Sequence, residues 1–165
     1  MKRVLYLTIF GAGALALCIA PLMAWPLAFM TGGGSVFGLS SSGEQMRVTH
    51  GFELHCDPAK GPNNLEVNWD GGNHFHLTQL TGISCYSDGK NPAPPGPSDM
   101  ADVFNGCGTG TYNGQTGYQI CFVFTDHGEP GTNDTAMYFI SGQTVVLNVP
   151  TTKLMNGNQQ AHPEP

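Results

Sequence analysis

The residues best suited to chemistry in this chain crowd into one run, Asp126-His127-Gly128-Glu129-Pro130-Gly131-Thr132-Asn133-Asp134. Its glycines and proline enforce tight turns, so oxygens of Asp126, Glu129, Asn133 and Asp134 could converge as hard ligands for Ca²⁺. The spacing is not that of an EF-hand. The same residues also suit a plain β-connection in which Asp126 and Asn133 or Asp134 cap turns through side-chain to backbone hydrogen bonds. A second group is His74-Phe75-His76, where alternation puts both imidazoles on one side of a strand. A hairpin around Gly71-Gly72-Asn73, pairing residues whose numbers sum to 144, sets Asp70 opposite His74 and Asn68 opposite His76. Asp70, His74 and His76 would then form a three-ligand site for Zn²⁺ or Cu²⁺, unless they are simply the polar face of a half-buried strand. Nucleophilic chemistry has no motif: neither Gly-x-Ser-x-Gly nor His-Glu-x-x-His occurs. Glu53 and Glu66 face outward on adjacent strands, where acids are usually solvated rather than paired across a glycosidic bond. Trp69 reads as core, which leaves Tyr86, Tyr112 and Tyr118 as aromatics able to stack on a sugar.

The elements that must carry these residues are strands. The 23 glycines and 12 prolines interrupt any helical period after residue 31, and apolar residues alternate instead. Strands are expected at Ser35–Leu39, Arg47–Cys56, Asn64–Trp69, Asn73–Ser84, Gly106–Tyr112, Gly117–Asp126, Thr135–Ser141, Gln143–Val149 and Gln159–His162. Leu65, Val67 and Trp69, for example, alternate with Glu66, Asn68 and Asp70. This spacing predicts an all-β fold, an antiparallel β-sandwich or small barrel of about eight or nine short strands. The proline-rich stretch Asp88–Asp102 reads as a surface loop.

The run from Gly106 to Thr125 has Asn113-Gly114 at its middle, a strong hairpin signal. With a three-residue loop centred on Gly114, Cys107 lies opposite Cys121, close enough for a disulfide. Cys56 and Cys85 then pair by elimination.

Lys2 and Arg3 precede an uncharged apolar run from Val4 to Met30, the layout of an export signal. Residues 1–30 are thus expected to be a signal peptide or an uncleaved N-terminal membrane anchor, with residues 31–165 a single β-domain. Cleavage after Ala24 or Ala28 and a lipoprotein processed at Cys18 are the further alternatives. Export makes an even set of four cysteines a disulfide set. Without Lys2 and Arg3, four basic residues (Arg47, Lys60, Lys90 and Lys153) oppose all twelve acids, 4 − 12 = −8 in formal charge. So acidic a chain argues against nucleic acid as a partner, because that binding neutralises phosphates with Lys and Arg.

Several segments together resemble an uncharacterised family of bacterial exported β-domains. They are Thr31-Gly32-Gly33-Gly34, the run His50-Gly51-Phe52-Glu53-Leu54-His55-Cys56-Asp57, Asn64–Trp69, Phe75-His76-Leu77, Phe124–Thr135 and Gly157–His162. The family occurs behind a signal sequence or at the C-terminus of surface proteins. The resemblance implies an extracytoplasmic β-domain and brings no established catalytic residues; the Cys107/Cys121 pair departs from its pattern. The expectation is a secreted, cell-surface or periplasmic structural or binding module without intrinsic catalysis. Its partner would be an extracellular ligand or another copy of itself, with membrane contact only through an uncleaved leader. The alternative is a divalent-metal-binding protein or metal-dependent enzyme.

Overall fold

The computed structural model describes residues 28–90 and 101–164. The expected leader, up to residue 27, and most of the expected Asp88–Asp102 loop lie outside the described residues. Nine strands follow in order: β1 Ala28–Ser40, β2 Gln45–His55, β3 Asn64–Trp69, β4 Asn73–Tyr86, β5 Val103–Tyr112, β6 Gln115–Thr125, β7 Thr135–Ser141, β8 Val145–Lys153 and β9 Asn156–Pro163. Each expected strand is found, most of them longer than expected. β1 begins at Ala28, so Ala28, Phe29 and Met30 belong to the folded domain, with Ala28 and Met30 fully buried.

Neighbours in sequence pair antiparallel from β1 to β8, and Leu39 and Ser40 of β1 pair with Asn148 and Leu147 of β8. That last contact closes a barrel of eight strands and removes the edges a sandwich would leave open. β9 is the extra strand. It runs along the first half of β1, from Ala28↔Pro163 to Ser35↔Asn156, where β8 has already turned away. Pro150, which has no N–H for a ladder, sits in β8 just beyond its departure from β1.

An eight-strand barrel has an interior just wide enough for side chains to fill. Phe75, Phe104, Phe122, Phe124 and Tyr138 are fully buried there with Met30, Leu54, Leu65 and Ile140. Glycines on the inward face of β5 make room for them. A Cβ at Gly106 would press on Phe122, one at Gly108 on Leu77 and one at Gly110 on Phe75. The Gly-Cys-Gly-Thr-Gly pattern of β5 is therefore a small-residue face opposed by two rings and Leu77. Burying each ring contributes about 1.5–3 kcal/mol. Outward positions such as Glu66, Asn68, His74 and Thr78 are polar and exposed, the reverse of the apolar outer band of a membrane barrel.

The β5–β6 hairpin has the expected register at its centre, with Cys107 opposite Cys121 and a disulfide joining them. Its turn is shorter than expected. Asn113 and Gly114, at φ 50° and 78°, form a two-residue turn, and an extra residue on β6 beside Gly117 restores the register. Cys56–Cys85 is the second bond, linking the end of β2 to the end of β4. It spans the place where the short β3 has run out and β4 has no partner on that side. These two disulfides mark a chain that folds in an oxidising, extracytoplasmic compartment.

The β3–β4 register corrects the expected one. Residues summing to 142 face each other, so Asn68 lies opposite His74 and Glu66 opposite His76. Asp70 is in the 3-10 turn Asp70–Gly72, whose glycines take positive φ. The inward face is unchanged, because a slip of two residues preserves alternation.

Candidate functional site

The run singled out for its oxygens is where the barrel meets β9. One edge of β9 pairs with β1, and the other edge is met by two buried carboxylates in place of a strand. Gln159 N–H donates to Asp134 Oδ2 at 2.8 Å, and Ala161 N–H donates to Asp126 Oδ2 at 2.9 Å. The remaining oxygens hold the loop itself: His127 N–H donates to Asp134 Oδ1 and Gly128 N–H to Asp126 Oδ1. All four oxygens of this clasp accept from backbone amides. Burial pushes the Asp134 carboxyl above its usual range, with Asp126 and Glu129 adding to the push; the bonds from His127 and Gln159 act the other way.

The other expected Ca²⁺ ligands are engaged too. Glu129 Oε1 accepts from the side-chain amides of Asn158 and Gln160, and Asn133 Oδ1 accepts from Lys153 Nζ at 2.9 Å. Asp126, Glu129, Asn133 and Asp134 thus surround the loop as acceptors of N–H groups. Asp70, His74 and His76 are not brought together: His76 Nδ1 contacts Glu66, and Asn113 Oδ1 accepts from the His74 amide. Among the described residues no three His, Cys, Asp or Glu side chains are grouped to hold a metal ion. Of the tyrosines, Tyr112 stacks on Trp69 with ring centroids 5.4 Å apart and Tyr118 meets Tyr112 edge-on, so Tyr86 is the exposed one.

Four segments singled out in the sequence meet at this seam. Thr31–Gly34 lies between Gly51–Glu53 of β2 and Gly157–Gln160 of β9, while Phe124–Thr135 supplies the clasp. The approach of β9 to β1 requires small residues. Gly157 has φ +117°, and a Cβ there would collide with the Gly33 carbonyl and Gly34 Cα.

Inside the barrel lies a polar chain that no motif announces. Thr125 N–H donates to Gln159 Oε1 at 3.0 Å, which turns the Gln159 amide nitrogen toward His50 Nε2 at 3.4 Å. His50 must accept there, so its proton sits on Nδ1 and points to the Tyr138 hydroxyl oxygen at 3.3 Å. Burial lowers the His50 pKa to about 4 and pushes the Tyr138 phenol well above its usual range. A His alternating with Val48, Phe52 and Leu54 was legible as inward-facing; its partners, 88 and 109 residues away, were not.

On the outer side of the same loop is a pocket of about 420 Å³ lined by Lys90, His127, Asn133, Thr135 and Lys153. Asp88 stands at its rim and accepts from Lys90 Nζ at 2.8 Å and from His127 Nε2 at 3.2 Å. Burial pushes the Asp88 carboxyl up, but the bonds from Lys90 and His127 together bring it below its ordinary value. Comparison of the chain with protein-family models, curated proteins and solved structures gives no match.

Proposed function

We propose that this chain is an exported binding module without intrinsic catalysis, placed at the cell surface, in the periplasm or in the medium. Its working surface is the end of the barrel where β9 is clasped. The observation that supports this is the contrast between a filled interior and a rigid, polar loop carrying a pocket on its outer side. Among the described residues, buried rings pack the interior that some eight-strand barrels give to a ligand. Asp126 and Asp134 of the loop are committed to backbone amides and Glu129 to the side-chain amides of Asn158 and Gln160, an arrangement that suits a held structure better than proton transfer. The likeness of the seam segments to an exported β-domain family agrees with this reading. A boundary after Ala24 would leave β1 intact, whereas a cut after Ala28 would remove a buried residue.

The test is expression with the native leader, followed by fractionation and a broad ester, glycoside and peptide turnover screen. The expected outcome is oxidised protein outside the cytoplasm and no turnover above the blank. Turnover abolished by changing one acid or histidine would overturn the proposal, as would retention of reduced protein in the cytoplasm.

A further inference from the structure

We propose that the pocket formed by Lys90, His127, Asn133, Thr135 and Lys153 binds the oxyanionic group of a small ligand, a carboxylate, sulfate or phosphate. The proposal rests on the binding-module reading and gives that module its ligand chemistry. Charge is the first argument. The described residues include four Lys and Arg side chains, and two of them, with His127, line this one pocket of a strongly acidic chain. Elsewhere such a surface repels anions; here two lysines face one cleft.

The way the cations are held is the second argument. His127 Nδ1 faces the Asn133 carbonyl oxygen at 3.2 Å, and its Nε2 faces Asp88 Oδ2 at 3.2 Å. Both partners only accept, and the contacts at both ring nitrogens fix the plane of the ring at the pocket wall. Lys153 donates to the neutral Asn133 amide oxygen at 2.9 Å. Among the described residues no carboxylate lies within salt-bridge distance of it. Its position is held while its charge stays available. Asp88 is shared by Lys90 and His127, and Asp102, which accepts from the Asp88 amide, also acts on the Lys90 charge.

Rigidity is the third argument. The His127 amide is pinned by Asp134, the Thr135 hydroxyl meets that of Thr125 at 2.8 Å, and the Lys90 amide donates to Asp88 Oδ1 at 3.0 Å. Donors already held in place lose little entropy on binding. The volume suits a ligand the size of a sugar acid or a phosphorylated sugar.

The experiment titrates the oxidised exported chain with sodium phosphate, sodium sulfate and sodium glucuronate at constant ionic strength, followed by amide chemical shifts. The expected result is saturable shifts centred on His127, Asn133 and Thr135 with at least one anion. The anion that saturates at the lowest concentration identifies the head group. K153Q should weaken that binding about tenfold, the loss of one charge-assisted hydrogen bond. K90Q should weaken it less, and K60Q, outside the pocket, should bind like the parent. No saturable shift with any of the three anions overturns the proposal. Equal binding by K153Q and the parent, an adventitious ion only, overturns it too. Shifts centred instead on the groove lined by Arg47, Thr49, Asn68, Trp69 and Asp70 overturn this site but leave the module reading standing, since that reading falls on turnover.

Discussion

Inside the barrel His50 accepts from Gln159 and donates to Tyr138, among Phe52 and Phe124, and in this setting a second proton has no acceptor. Its pKa of about 4 lies below the 6.5 of an unfolded histidine. The unfolded chain therefore binds the proton more readily, and stability is full above pH 6.5 and falls as pH drops towards about 4. The loss should reach about 3 kcal/mol by the lower end of that window. Asp134 opposes it: its raised pKa means that the fold gains from its protonation at low pH. Urea melts at pH 7 and pH 4.5 should show a steep loss in the parent and a flatter one in H50L, although H50L starts lower. Parallel losses in the two would assign acid sensitivity to other groups. The clasp gives a second prediction at this scale. D134A strips the His127 and Gln159 amides of their acceptors and should cost about 2–6 kcal/mol, given about 1–3 for each donor left unpaired. Because the clasp oxygens are filled by amides, Ca²⁺ and chelator should leave the parent's melting temperature unchanged; a rise with Ca²⁺ would restore the metal reading of Asp126, Glu129, Asn133 and Asp134.

Strand β9 is polar along much of its length, yet Gln159 and Ala161 are buried and its two edges are held by different means. One is an ordinary ladder to β1, the other a pair of carboxylates from the β6–β7 connection. A strand held this way is structural, so removing residues 156–165 should lower the melting temperature far more than loss of a loose tail would. G157V should do nearly the same with a single change, since a side chain there meets the backbone of Gly33 and Gly34 at a positive φ. Thermal melts of both variants check this; an unchanged melt for either would show that β9 is dispensable. At the same scale β4 manages an unpaired edge with two irregularities, whose extra residues Thr78 and Thr81 donate to the carbonyls of Thr109 and Cys107.

Across the whole molecule the two disulfides do different work. Cys107–Cys121 joins residues that the β5–β6 ladder already holds opposite each other, 14 apart in sequence. Cys56–Cys85 closes 29 residues and bridges a gap that no strand among the described residues fills. Loop length alone makes the second about 0.6 kcal/mol more stabilising, within the usual 2–4 for each bond. The paired change C56A/C85A should therefore lower stability more than C107A/C121A in urea melts, and the reverse order would show that the ladder gap carries no load. Non-reducing peptide maps should return only these two bonds.

Much of this fold was legible because its signals are local. Alternation over a few residues located nine strands and their inward faces, and Asn113-Gly114 set the hairpin that aligns Cys107 with Cys121. Alternation also let the β3–β4 register slip by two without penalty, since both registers bury Trp69 and Phe75; the turn at Asp70–Gly72 chose between them. The sequence by itself determined the strand content, the cysteine pairing and an acidic composition after an apolar run, because composition and short-range period carry that information. Only the tertiary structure decided that the sheet closes as a barrel, that Asp126 and Asp134 bind amides of β9, and that His50 joins Gln159 and Tyr138. Those contacts link residues 25 to 109 apart, and a carboxylate aimed at a distant N–H looks, in the chain, the same as one aimed at a cation.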